Sequence, residues 1–269
     1  MKKGGIASRL LVAAWGIPLL LGTTYLGGWW FAGLIALISF FALFEFYQLQ
    51  YAKGINPLRG IGFFTSLLIL VSWISNWEIL GWLIAISLIL HLLFGITTNR
   101  SVIDVMSGFL GVCYIPLLAG SFIVIREIGF SGDELAFHRG RYLCFAIWGA
   151  IWICDTAAYA GGSLMGKNLL APSISPKKTI EGSIWGFIGA VLFGLVWAYA
   201  GLISYSEGIV IGLAAGIFGQ MGDLVESKLK REASVKDSGN LLPGHGGILD
   251  RFDSMLFTAP IVALYLILA

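Results

Sequence analysis

The chain reads as an all-α, polytopic integral membrane protein of about nine transmembrane helices, with its N-terminus in the cytoplasm. Three observations predict this. Hydrophobic residues make up 58% of the 269 and charged residues only 12%, and the mean hydropathy is +0.87, far outside the range of soluble domains. Apolar runs of about 17 to 22 residues recur along the chain, which is the length a bilayer demands of a helix. With nine spans and the N-terminus inside, all the lysines and arginines except Arg126, Arg139 and Arg141 fall on cytoplasmic segments. That bias orients membrane helices. The three outer arginines are balanced by Glu127, Asp133 and Glu134.

The first span, 10–25, follows Lys2 and Lys3 and has the flanks of a signal peptide. Where a small-residue cleavage site would stand there is only Gly27-Gly28-Trp29-Trp30, so it is read as an uncleaved helix. The second, 30–49, is entered through Trp29 and Trp30, aromatics suited to the interface, as are Trp73 and Trp77 further on. The third, 61–74, is the shortest, which makes eight the alternative count. The fourth and fifth cover 79–96 and 102–125, and His91 within the fourth reads as a buried structural residue. The remaining spans are 142–165, 184–203, 208–224 and 248–268. Cys113, Cys144 and Cys154 lie inside spans without CxxC spacing and read as small core residues. Longer loops stand at 126–141, 166–182 and 232–247. The chain thus divides into N-terminal spans at 1–100, middle spans at 101–165, and a C-terminal region at 166–269 that holds most of the polar chemistry.

That chemistry is concentrated. Between Asp223 and Asp253, 31 positions carry 11 charged residues. Asp155 lies within the sixth span, where a carboxylate is costly and faces a partner or a cavity; solvation at the helix end is the plainer alternative. At helical spacing it shares a face with Tyr159 and Gly162. Asp223 comes late in the eighth span, on one stripe with Glu226, Ser227 and Lys230. A solvated helix end with paired charges is the alternative there. Asp250 and Asp253 open the ninth span at i, i+3. Acids in a first turn also serve as ordinary dipole complements, but the Pro-Gly-His-Gly-Gly at 243–247 allows close approach of backbone N–H groups to an anion. The topology puts carboxylates from three helices near the cytoplasmic face. Oxygen donors at one depth suit a hard cation such as magnesium, with Asp223, Asp250 and Asp253 as its ligands.

In the loop 166–182, Lys167, Lys177 and Lys178 stand with Ser173, Ser175 and Thr179, groups suited to phosphate oxygens. Two plainer readings remain open: contact with anionic lipid headgroups, and a helix start at Ser175-Pro176 and Thr179. Residues 161–168 fall one residue short of a P-loop, but no strand is expected before them, so that motif is set aside. Carboxylates for metal, with lysines and glycines for phosphate, point to phosphoryl or nucleotidyl transfer to a lipid at the membrane surface.

The segment SKLKREASVKDSGNLLPGHGGILDRFD, residues 227–253, resembles the signature of the phosphatidate cytidylyltransferases, or CDP-diglyceride synthetases. Its pattern of S-x-x-K-R-x-x-x-x-K-D, a spacer, and P-G-H-G-G-x-x-D-R-x-D is filled by Ser227, Lys230, Arg231, Lys236, Asp237, Pro243, Gly244, His245, Gly246, Gly247, Asp250, Arg251 and Asp253. The stretch DTAAYAGGSLMGKNLLAPSISPKKTIEG, residues 155–182 with Glu181 near its end, is similar to the family's second block. The N-terminal half is similar only in its apolar pattern and in touches such as Glu45. The resemblance implies that CTP and phosphatidate give CDP-diacylglycerol and pyrophosphate, with magnesium as cofactor, as one ion or two. It implies catalytic roles for Asp223, Lys228, Lys230, Arg231, Lys236, Asp237, His245, Asp250 and Arg251. Substrate contacts are then expected at Asp155, Tyr159, Lys167, Ser173, Ser175, Lys177, Lys178, Thr179, Glu181, Gly246 and Gly247. His245 is read as a hydrogen-bond donor to phosphate rather than a base. The expected setting is the inner (cytoplasmic) membrane of the cell, with the active site on the cytoplasmic side. The partners are CTP, phosphatidate and the bilayer, with no nucleic acid and with a homodimer left open. A CTP-dependent lipid or polyprenol kinase is the near alternative, and a cation-coupled transporter the one from a different class.

Overall fold

The apolar runs become helices. The computed structural model describes residues 6–127, 134–242, 244 and 246–269; Lys2, Lys3 and Asp133 lie outside the described residues. Among the described residues, seven helical stretches are long and apolar enough to cross a membrane: Gly28–Ala52, Trp77–Thr97, Val102–Glu127, His138–Met165, Ile180–Tyr199, Tyr205–Glu232 and Leu249–Leu268. Two shorter apolar helices, Leu10–Leu26 and Arg59–Ser75, stand at the first and third expected spans. The chain is therefore an all-α polytopic membrane protein.

The chain forms two compact units, and the first comprises Met1–Val124 and Leu229–Arg251. Its helices begin with α1 (Ile6–Leu26), α2 (Gly28–Ala52), α3 (Arg59–Ser75), α4 (Leu80–Thr97), α5 (Val102–Tyr114) and α6 (Pro116–Glu127). The α2 helix is apolar over most of its length and supplies the core with Phe31, Ile35, Leu43, Phe46 and Tyr47, all fully buried. Phe31 packs on Phe122 with ring centroids 5.5 Å apart, and the Tyr47 hydroxyl donates to the Gly108 carbonyl at 2.9 Å. His91 is fully buried, its Nδ1 2.7 Å from the Ser87 carbonyl. The α5 start follows local rules: Ser101 accepts from the Asp104 N–H at 3.1 Å while the Asp104 carboxylate accepts from the Ser101 N–H at 3.2 Å, a reciprocal capping box. The fifth expected span is two helices. Pro116 has no N–H to continue the ladder, so α5 stops at Tyr114 and Pro116 takes the first position of α6, while Ile115 between them keeps right-handed helical angles (φ −106°, ψ −73°).

The second unit comprises Ile125–Lys228 and Phe252–Ala269. It is built on α7 (Glu134–Met165), a hairpin of β1 (Leu169–Ala171) and β2 (Ser175–Thr179), α8 (Ile180–Tyr199) and α9 (Tyr205–Leu213). A π-helical turn, Ala214–Gly219, leads into α10 (Gln220–Glu232), and α11 (Leu249–Leu268) ends the chain. On α8 the residues that face the interior are Gly182, Gly186, Ala190, Gly194 and Ala198, one every four positions. Small residues at this spacing let membrane helices approach backbone to backbone. The approach is closest at α9, where a Cβ on Gly208 would strike the Gly194 carbonyl.

Candidate active site

In the first unit, the polar cluster forms where the end of α10, the loop after it and the start of α11 meet α2. Lys230 Nζ lies 2.5 Å from Asp250 Oδ1, with the two side chains only 12% and 8% exposed. The other Asp250 oxygen, Oδ2, accepts from the Ser238 N–H at 2.9 Å, the Ser238 hydroxyl at 3.0 Å and the Gly247 N–H at 2.8 Å. Gly246 has φ +87°, and a Cβ there would stand 2.8 Å from Asp250 Oδ2. The glycine both accepts the left-handed backbone and lets the turn close on the carboxylate. The Leu242 N–H donates to the Gly246 carbonyl at 3.0 Å and shuts the turn. His245 lies outside the described residues, as does Pro243. Arg231, Lys236, Asp237 and Arg251 are exposed. Arg231 donates to the Val235 carbonyl at 3.2 Å, and Lys53 pairs with Glu232 at 2.7 Å.

Sequence reasoning gave Glu45 only a family likeness, and the structure places it at this cluster. Its carboxylate, 2% exposed, accepts from the Ile248 N–H at 3.0 Å, the Leu249 N–H at 2.8 Å and the Ser238 hydroxyl at 3.0 Å. The signal was a lone acid inside the apolar run ALFEFYQL.

In the second unit, Lys178 on β2 forms an ion pair with Asp223 on α10, both side chains about one-third exposed. Asp223 Oδ1 accepts from the Ser227 hydroxyl at 3.2 Å. Thr179 caps α8, its hydroxyl accepting from the Gly182 N–H at 3.1 Å. Glu181 ties down the hairpin: it accepts from the Lys167 N–H at 3.1 Å and from the Asn168 N–H and side-chain amide, the latter at 2.7 Å. Thr179 is thus the cap of α8, in line with the plainer reading of this loop, whereas Ser175 and Pro176 stand in β2 rather than at a helix start. Lys167, Ser173 and Lys177 are exposed, Ser175 is half-buried, and Lys228 on α10 is exposed. Asp155 and Tyr159 are both exposed on α7. Asp253 is buried, and its Oδ1 accepts from the Ser254 N–H at 2.7 Å. Glu226 is fully buried. Sequence reasoning missed Gln220 and Ser183. The Ser183 hydroxyl donates to Gln220 Oε1 at 2.6 Å, and Gln220 Nε2 donates to the Gly216 carbonyl at 2.6 Å, bracing α8 against the π turn just ahead of Asp223. Such turns, with one extra residue in the ladder, recur at functional sites.

Among the described residues no three His, Cys, Asp or Glu side chains form a metal-holding group. Magnesium does not require one, because it keeps several waters and binds through one or two carboxylates together with substrate phosphates. Asp223 and Asp250 offer carboxylate oxygens of the kind that ion takes, though in this structure each is paired with an ammonium, of Lys178 or Lys230, that a cation would have to displace.

The comparisons agree with one another. The model of a family described as the cytidylyltransferase family matches residues 7–269. A phosphatidate cytidylyltransferase of Synechocystis sp. is 36% identical, the match covering 97% of this chain and 96% of that protein. One from Staphylococcus haemolyticus is 38% identical over 93% of this chain and 94% of its own. One from Staphylococcus aureus is 35% identical over 88% of each.

Proposed function

The chain belongs to the cytidylyltransferase family and is a nucleotidyltransferase, and from that premise we propose that it carries the cytidylyl group of CTP to phosphatidate. The observation that supports this most directly is the Lys230–Asp250 pair, nearly buried in a turn whose backbone N–H groups are gathered on one carboxylate. A phosphate monoester has a second pKa of about 6 and is largely dianionic at pH 7. Such a nucleophile needs no strong base. It needs its charge offset and its oxygen set in line with the α-phosphorus of CTP. The phosphatidate oxygen forms the new bond to that phosphorus, the bond to the β-phosphate oxygen breaks, and pyrophosphate leaves with the electron pair.

Lys228, Lys230, Arg231, Lys236 and Arg251 supply positive charge to the phosphates of both substrates, and His245 donates a hydrogen bond to them. Lys167, Lys177 and Lys178 assist binding from the hairpin. Asp223, Asp250 and Asp253 are the carboxylates assigned to magnesium, which would neutralise the triphosphate and the departing pyrophosphate. CTP labelled in turn at the α and γ positions tests the reaction. The α label is expected in the lipid and the γ label in pyrophosphate. A γ label in the lipid, with CDP released, would establish the kinase instead, and cation flux without CTP turnover would establish the transporter.

We further propose that the charged loops face the cytoplasm from the inner membrane, as the lysine and arginine bias supports. In a cysteine-free background, Asn240→Cys, at an exposed position, should resist an impermeant maleimide applied to intact cells and react once the membrane is opened. Ready labelling from outside would reverse this topology.

A further inference from the structure

The α11 helix starts without a cap of its own. The residue before Leu249 is Ile248, which has no polar side chain, yet the first N–H groups of any helix have no partner within it. A carboxylate from 203 and 204 positions earlier in the chain supplies the acceptors: Glu45 takes the Ile248 and Leu249 N–H groups on its two oxygens. A Ser or Asp at 248 would take the N–H groups of 250 or 251 instead, so Glu45 engages donors that an N-cap side chain does not serve. A carboxylate buried within an apolar helix is costly.

Its other contacts show what more it does. The Ser238 hydroxyl lies 3.0 Å from Glu45 Oε2 and 3.0 Å from Asp250 Oδ2. The two carboxylates therefore share one serine, and between them they engage the N–H groups of 238, 247, 248 and 249. The backbone is fitted to Glu45. A Cβ on Gly247 would strike both the Ser238 hydroxyl and Glu45 Oε2, and one on Gly239 would strike Glu45 Oε1.

We infer that Glu45 is a positioning residue: through Ser238 and the backbone of 247–249 it fixes where Asp250, and with it Lys230, stands. This rests on reading 227–253 as the catalytic segment. Glu45→Gln keeps the size but offers one acceptor oxygen, so an amide N–H must face a backbone N–H or the serine hydroxyl. In the purified full chain, kcat per folded molecule should fall about 100-fold, the cost of an ångström-scale misplacement, with KM for CTP little changed. Amide exchange should accelerate at 248 and 249 but not along α2. Wild-type kcat per folded molecule would overturn the inference. So would activity lost only in step with folded protein, or exchange raised evenly through α2 and α11, since either assigns Glu45 to stability alone. Should Glu45→Gln fail to accumulate, Ser238→Ala removes only the shared hydroxyl and must still lower kcat, by about tenfold; an unchanged kcat again overturns it. Wild-type protein that makes no CDP-lipid would defeat the functional reading, whereas the exchange pattern reports on Glu45 regardless.

Discussion

Asp250→Asn should lower turnover by about 1,000-fold or more, in the upper range seen when one preorganised charge-stabilising group is removed. The substitution keeps the side-chain size and one acceptor oxygen, so the N–H groups of Ser238 and Gly247 retain a partner. What it removes is the negative charge beside Lys230, and those two side chains are 12% and 8% exposed. An ammonium left without its partner at such a site costs about 3–5 kcal/mol, so lost activity alone does not show that Asp250 acts on substrate. Adding Lys230→Met separates the effects, because the pair then disappears together and its coupling can be read from the cycle. If Asp250 serves the reaction, the double variant regains stability, measured as melting temperature, but turns over far more slowly than Lys230→Met alone. If Asp250 only neutralises Lys230, the double variant turns over as fast as Lys230→Met alone. That result would take Asp250 out of the proposed metal site and leave the role to Asp223 and Asp253.

What the sequence revealed and what it hid divide along a physical line. The bilayer sets helix length, and so the apolar runs at 30–49, 79–96 and 248–268 reappear as helices with ends shifted by only a few residues. The break at Ile115 was legible in principle, since Pro116 sits inside an apolar run, but hydropathy is equal on both sides and the run alone reads as one span. The π turn at Ala214–Gly219 has no such marker; it is fixed by what surrounds it, including the bonds of Gln220 to Ser183 and Gly216. Glu181 entered only through the resemblance, and no local pattern announces that its carboxylate would be engaged by the N–H groups of Lys167 and Asn168 across the hairpin. Glu45 was the hardest to read. A signature is local in sequence, whereas this residue meets it from 193 to 204 positions away, and no spacing rule spans that distance.

Asp223→Asn should also lower kcat by about 1,000-fold, and here stability should scarcely change. Its partner Lys178 and Asp223 itself are each about one-third exposed, and an ion pair at such a site is worth about 0–1 kcal/mol. The pairing raises a specific rival account, in which Asp223 exists only to aim Lys178 from β2. The two accounts differ in kinetics. Lys178→Ala removes a binding contact and should raise KM for CTP or phosphatidate about tenfold while kcat holds, the signature of lost uniform binding. If Asp223 only aims that lysine, Asp223→Asn must show the same rise in KM, and the double variant must be no worse than either single one. If Asp223 acts on the reacting phosphates through a bound cation, its loss falls on kcat instead, and in the double variant it adds to the effect of Lys178→Ala. A KM effect without a kcat effect, unchanged in the double variant, would remove Asp223 from the chemistry and leave it as a support for the hairpin lysine.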